Sequence, residues 1–568
     1  MGRPAFDGLP ICCRRPATLT RDSFMRFKHF AVALLGLALA SPAPSEPAPA
    51  APIFSPESFR SHVAFLADDK LEGRDSGSRG YDLAALYVAS RFEALGLKPA
   101  GRDGWYQQVP FLETRLSGEP GSLTIGGRRF VHGQEVVLTP TPDEAPVAVD
   151  APAVFVGYGL EAPQIGIDDY RGLDVRGKIV VVLNGFPNGM KSDIGAHLNS
   201  DKRRVASKHG AIGLVSIRTL SESKRRPWSR LQQYAEEPSL GWIGEDGRAY
   251  TPAPGLRFRA TLDGPAAEAL FAGARIPLSR ILAEADRKGG RPTGFALKPR
   301  LAVSQHSATR RFTSPNVLAV LPGSDPKLAG EYVLLMAHLD HEGIKAEGSE
   351  KDPGGDRIYN GAMDNAVGIA TMIEVARAMA SASDRPKRSI LFAAVTAEED
   401  GLLGSQYLAR HPVAGGKVAA VVNLDMPVLL YDFTDVVAFG AEHSTMGEAV
   451  ARAGAGMGVA LSQDPLPQEG LFTRSDHYRF VQEGVPSVFL MTGFANGGEE
   501  KFTHFLATHY HKVSDNLRLP IDWRAGAKFA RINYEIAREI ADAPQAPRWY
   551  ADSFFGKALA PEREKAAR

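Results

Sequence analysis

Cysteine is almost missing from this chain. Of 568 residues only the adjacent Cys12 and Cys13 are cysteine, and both precede the apolar run AVALLGLALA at 31–40. A chain cleaved after Ala40 would therefore hold no disulfide even in an oxidising compartment. No cysteine follows that run, which argues against a lipoprotein anchor. An excess of one charge is missing too: 66 Lys and Arg against 65 Asp and Glu leave a net +1. No global field points to nucleic acid or to an anionic membrane surface, so partners must be sought in a site. The apolar run at 31–40 is too short to span a bilayer, and no internal repeat is visible. What is present, 44% hydrophobic and 23% charged residues, is globular in composition, and the length suggests roughly two to four folded units.

Met25 opens MRFKHF, a short basic region ahead of the apolar run, and ALAS at 38–41 supplies a small-residue cleavage site. Residues 25–40 thus read as a signal peptide and residues 1–24 as an extension ahead of the true start. The Pro- and Ala-rich 41–54 reads as a flexible linker. The expectation is a periplasmic or secreted protein with no stable membrane anchor.

Apolar residues three and four apart predict helices between 55 and about 97, joined by the polar, Gly-rich connector KLEGRDSGSRG. From 145 to 300 the pattern changes to short β-like runs (APAVFVGYGL, GKIVVVLNG, AIGLVSI) cut by Gly, Pro and Asp, which predicts a separate, mainly β insertion. From 301 to 545 strands alternate with amphipathic helices. Continuous apolar strands in that rhythm predict an α/β fold whose central, mostly parallel, twisted sheet is covered on both faces. Residues 546–568 form a C-terminal tail, and its end, PEREKAAR, reads as disordered.

In open α/β sheets ligands bind beyond the carboxyl ends of the strands. Here those ends carry His338-Leu339-Asp340-His341 after YVLLMA, Thr396-Ala397-Glu398-Glu399-Asp400 after ILFAAV, and Asp425 after AAVVNL; NGAMDNAVG sets Asp364 at a helix start, and HYHKVSD holds His509 and His511. Each has an ordinary structural reading: a satisfied histidine, an Asp N-cap, a solvated pair of glutamates. Asp425 is harder to dismiss, because a carboxylate leaving a buried strand needs a partner or a cation. Mixed imidazole and carboxylate donors suit a borderline cation such as zinc, with manganese or cobalt tolerated. If His338, Asp364, Glu399, Asp425 and His511 are the ligands, three carboxylates overneutralise one divalent ion, whereas two such ions with one hydroxide balance them.

Taken together, AHLDH, NGAMDNAVG, TAEEDGLLGS, NLDM, SDHYRF and YHKVSD resemble, in order and spacing, the co-catalytic dizinc aminopeptidases of the bacterial leucyl aminopeptidase type. That group extends to glutamate carboxypeptidase relatives and to single-zinc glutaminyl cyclases. The resemblance implies a three-layer zinc-peptidase fold in two parts, 55–144 and 301–545, and the insertion resembles a protease-associated domain. It implies two zinc ions, one on His338, Asp364 and Asp425 and the other on Asp364, Glu399 and His511, with Asp364 shared. Glu398 would be the general base, and Asp340 would fix the ring of His338. The implied activity is removal of N-terminal residues from peptides with a free amino terminus. A carboxypeptidase or dipeptidase of the same superfamily, a glutaminyl-cyclase-like acyltransferase and a non-catalytic relative are the alternatives. His341 and His509 flank ligand positions and stay open as substitutes for them. Met363 stands where many relatives have a second Asp and is expected in the wall of the substrate pocket. Asp476 and His477 are read as braces of a loop, with substrate orientation as the alternative.

Overall fold

An apolar run with no polar position cannot face water on either side. Several such runs lie in β1 (Tyr106–Leu116), β2 (Ser307–Leu321), β3 (Glu331–His338), β4 (Ser389–Val395), β5 (Lys417–Leu424), β6 (Asp435–Phe439) and β7 (Ser487–Thr492). These seven form the body of a ten-stranded sheet in the order β1, β2, β4, β3, β5, β7, β6, with Ser239–Trp242 at one edge and Ala460–Ser462 at the other. The computed structural model describes residues 53–142, 144–345 and 355–568. The extension 1–24, the signal segment 25–40 and the linker up to residue 52 lie outside the described residues.

Strand β3 pairs parallel with β4 and β5, and β5 pairs parallel with β7. Around this centre β2 runs antiparallel to both β1 and β4, and β6 antiparallel to β7. The sheet is therefore mixed, which corrects the expectation of a mostly parallel one. The parallel pairs, those at its centre and the one between β6 and the edge strand Ala460–Ser462, need long crossovers, and helices supply them.

The two faces are legible residue by residue. In β3, Val333, Leu335 and Ala337 point into the larger core, while Tyr332, Leu334 and Met336 point into a second one; in β4, Ile390, Phe392 and Ala394 oppose Leu391, Ala393 and Val395. This period of two, with both faces covered, makes the three layers. One side is packed by α1 (Pro56–Leu66), α2 (Arg79–Ala94), α3 (Val367–Ser381) and, later in the chain, α6 (Trp523–Asp542); the other by α4 (Leu403–Arg410) and α5 (His477–Gln482). Each Val, Leu, Ile or Phe so buried contributes about 1.5–3 kcal/mol.

The second sheet has eight strands, in the order Arg128–Val131, Ser122–Ile125, Phe295–Gln305, Val147–Phe155, Ile179–Leu183, Gly213–Ile217, Arg259–Leu262 and Val136–Thr139. It thus takes in residues on both sides of the expected boundaries at 145 and 300. The two strands of RRFVHGQEVVLT, which end up at opposite edges of this sheet, and their neighbours carry the same alternation as the main sheet, so pattern alone does not assign them.

The tail is not disordered. Phe554–Leu559 is a helix, Ala551 and Trp549 exchange backbone hydrogen bonds with Ala566, and Arg568 pairs with Asp552 at 2.8 Å. Trp549 is buried and donates from its indole nitrogen to the carbonyl of Gly484 at 2.9 Å. One aromatic anchor outweighs the polar composition of PEREKAAR.

Glu374 on α3 ties the helical layer together. It accepts from Ser58 of α1 at 2.6 Å and from Arg377 at 2.6 and 3.0 Å, and meets His62 at 3.3 Å. Burial raises its pKa, but the bonds from His62, Arg377 and Ser58 outweigh burial and bring it down to about 2 from the ordinary 4.5. A depressed folded pKa means stability that is complete above the unfolded value and is lost as pH falls through the folded one. Glu374→Gln should cost about 2–3 kcal/mol at pH 7, with the gap to the parent closing between pH 4.5 and 2. Denaturant titrations across that range measure it, and a gap independent of pH would refute the assignment.

Candidate metal centre

The carboxyl ends of β3, β4 and β5 lie side by side and lead to His338, to the pair Glu398 and Glu399, and to Asp425. Asp364 comes from the turn Ala362–Ala366, and His511 from the loop that follows the helix Gly498–Thr508.

Asp364 stands between two imidazoles. Its Oδ1 lies 3.1 Å from His338 Nε2, and its Oδ2 lies 3.3 Å from His511 Nε2. Asp425 Oδ1 is 3.2 Å from the same nitrogen of His338, and Glu399 Oε2 is 3.2 Å from that of His511. His338, Asp364 and Asp425 bring one donor atom each to within 4.8 Å of one another, and so do His338, Glu398 and Glu399. Residues from five separate segments, up to 173 positions apart between His338 and His511 by their numbers, thus share one small volume.

The donor set fits cations. His511 Nε2 is buried and hydrogen-bonds to neither carboxylate beside it. A nitrogen aimed between two carboxylate oxygens without bonding either is free to take a cation. Its other nitrogen is fixed by Glu342 at 2.8 Å. His338 Nδ1 lies 3.2 Å from the backbone oxygen of Asp340, leaving Nε2 to face the carboxylates. The Asp340 carboxylate is 4.0 Å away from that ring and instead accepts from the Glu399 backbone at 3.2 Å. The expected clamp on the ring is thus the carbonyl of Asp340, while its side chain holds the loop of Glu399.

Electrostatics reports the same crowding of negative charge. Burial depresses the pKa of His511, but Glu399, Asp364 and Glu342 override it and push the ring up to about 12. Burial lowers His338 too, and Asp425, Glu398 and Asp364 lift it well above its usual range. Burial raises the Glu398 carboxyl far above the ordinary range despite the opposing charge of His338, and Glu399, Asp425 and Asp476 raise it further. A carboxyl held that high keeps its proton at neutral pH until positive charge is brought near it.

The backbone is bent to reach this arrangement. Ala397, Met426 and His511, none of them glycine, have φ of 53°, 40° and 54°, each within one residue of a cluster member or itself one. Such left-handed conformations cost about 1–3 kcal/mol each and persist where the surroundings over-determine them.

The surroundings do so. The Asp515 carboxylate accepts from the backbone N–H groups of Met363 and Asp364 at 2.8 and 3.0 Å. Asn365 donates to Leu424 at 2.9 Å and accepts from Gly368 and Met426, linking the Asp364 turn to the Asp425 strand. Ser475 donates to Asp425 at 2.6 Å and is itself held by Asn423. Arg74, 1% exposed, donates to the carbonyls of Leu66, Leu339, Asn360 and Gly361. Sequence reasoning missed these braces. Asn365, Ser475 and Asp515 sat inside the quoted motifs, while Arg74 lay in a connector with no pattern to mark it.

Of the open alternatives, His509 turns away to Ser514 at 2.9 Å, whereas His341 Nδ1 lies 2.7 Å from Glu399 Oε1 and joins the cluster. Asp476 and His477 are fully buried, and among the described residues no hydrogen bond reaches their side-chain oxygens or nitrogens. Met363 is not in the pocket wall: it is fully buried, with its sulfur accepting from the Leu429 backbone at 3.4 Å. The hollow beside the cluster, about 170 Å³, is walled instead by Met426, Leu466, Leu471, Phe489, Met491, Phe502, Leu506 and Tyr510, with Glu469 and Arg474 among the lining residues.

Residues 316–537 match the profile of peptidase family M28. That segment holds every member of the cluster, from His338 to His511, while Arg74 braces it from outside. A probable zinc metalloprotease of Pyrenophora teres f. teres (strain 0-1) is 40% identical over 112 residues, 19% of this chain and 22% of that protein. Leupeptin-inactivating enzyme 1 of Streptomyces exfoliatus is 28% identical over 189 residues, 32% of this chain and 36% of that one. A solved aminopeptidase from Aneurinibacillus sp. strain AM-1 aligns over 91% of this chain and 98% of its own at 20% identity, with a TM-score of 0.49. The matches span from about a fifth to about half the length of the curated relatives.

The Asp515 brace makes a test. Outer partners of ligating groups are worth roughly 10–100-fold in metal affinity. Asp515→Asn, which removes a charge and one acceptor from the turn at Asp364, should lower affinity by that factor while the circular dichroism stays unchanged. Chelator competition measures it, and parental affinity would mean that the turn holds itself.

Proposed function

We propose that the protein is a two-metal, zinc-dependent aminopeptidase, exported to the periplasm or secreted. The observation that carries this reading is Asp364, whose two oxygens turn to two different imidazoles. In this reading His338, Asp364 and Asp425 would hold one cation, Asp364, Glu399 and His511 the second, and manganese or cobalt could substitute for zinc. Bound there, the ions would supply Lewis acidity toward a peptide carbonyl and lower the pKa of an attacking water.

The chain's own groups do the rest. Glu398 takes the proton of the attacking water and passes it to the departing amine, a step worth about 10²–10⁴-fold. The two glutamates divide the work because their bent strand end lets Glu399 face His341 and His511 while Glu398 faces His338. The apolar hollow takes the side chain of the substrate's first residue, and its lining favours an aliphatic or aromatic one. We read the second sheet as a protease-associated module.

Glu398→Gln should keep about two metal ions per chain and lose roughly 10²–10⁴-fold in turnover. Leucyl substrates should outpace aspartyl ones, and N-acetylated versions should be inert. Metal analysis beside a panel of fluorogenic substrates checks all three. Parental turnover in the variant would remove Glu398 from its role, and cleavage of blocked peptides at the same rate would sink the aminopeptidase reading.

A further inference from the structure

On the far side of the 398–401 loop is a second cavity, of about 350 Å³, which shares no lining residue with the hollow beside the metal cluster. Both sheets build it. Arg203 comes from the helix Ser192–Lys208, Arg259 from the strand Arg259–Leu262, and Arg479 from α5. Against these three guanidiniums the described lining offers one carboxylate, Asp400.

The arginines are short of partners. Among the described residues no carboxylate oxygen comes within 4.0 Å of any of the three, and the side chains of Arg203 and Arg259 make no hydrogen bond. Arg479 donates to the Gly401 carbonyl at 2.7 Å and to Gln482 at 3.1 Å, but its Nε is buried without a partner. Elsewhere the basic side chains of this region are matched: Arg204 is paired with Asp201, and Lys208 with Glu161 at 3.0 Å. Burial first, and then the nearby Arg203, push Arg259 down to about 10, so it stays protonated at neutral pH and faces a like charge.

Three like charges sharing one cavity, each half-buried, are unfavourable unless an anion joins them. A guanidinium presents paired donors that match the two oxygens of a carboxylate or phosphate. We propose that this cavity binds a small oxyanion, a carboxylate or phosphate group gripped by Arg203, Arg259 and Arg479. The group has two sources of the same chemistry: the carboxylate of a bound peptide, or a free anion from solution. Arg479 carries its presence to Gly401, two residues from Glu399. The site stands without the peptidase reading, because its binding needs no turnover.

Calorimetric titration of the metal-loaded full chain with sodium sulfate should show a site whose affinity drops about tenfold or more in Arg259→Gln. Should that variant fail to fold, Arg203→Lys keeps the charge but loses the fork, and must also weaken sulfate. The source is read from kinetics on tripeptides as free acids and as C-terminal amides. A lower KM for the acid, abolished in the variant and competed by sulfate, assigns the site to substrate; equal KM values with non-competitive sulfate assign it to a free anion. Sulfate binding that is absent, or equal in parent and both variants, together with indistinguishable acid and amide, overturns the proposal.

Discussion

Everything in this molecule turns on crowding negative charge where a protein would ordinarily not tolerate it. Asp364, Glu398, Glu399 and Asp425 sit within one small volume at the mouth of a sheet whose strands are apolar almost throughout. Carboxylates so close cannot all be ionised without positive charge between them. His338 and His511 supply it when protonated and can supply it as ligands when a cation takes the proton's place. The rest of the architecture serves that exchange: strands converge to deliver the side chains, and Asp515, Asn365, Ser475 and Arg74 spend their hydrogen bonds on keeping the delivery points still.

Much of this was legible because both signals are local. Runs such as ILFAAV betray themselves by having no polar residue, and the chemistry stands directly after them, so His338, Glu398, Glu399 and Asp425 could be found by looking at strand ends. Asp364 and His511 were weaker candidates, one marked only by a helix start and the other by a polar loop with two histidines, and the resemblance separated them from their neighbours. Direction within the sheet was not legible: whether a strand pairs parallel or antiparallel depends on neighbours chosen across hundreds of residues, and a buried strand has the same composition either way. The position of Met363 was misread for a related reason. A residue beside a ligand in sequence can point to the opposite side, and Met363 points into the core while Asp364 faces the metal cluster.

The residues that escaped notice share a property. Arg74, Glu342 and Asp515 act on backbone or on a ligand's far atom, through contacts whose partners lie far off in sequence or on the other side of a turn. No periodicity marks such residues, because their role depends on where a neighbouring loop happens to end. The tail failed in the opposite sense, its polar letters suggesting disorder while a single buried Trp549 secured it.

Chain connectivity between the two sheets has a mechanical side. The strand Phe295–Gln305 belongs to the smaller sheet and β2 begins at Ser307, so His306 alone separates them. One residue leaves no slack for a swinging tether. Force applied to the smaller sheet would pass along β2 into β4, the very ribbon that presents the paired glutamates, so the two halves are geared rather than merely strung together.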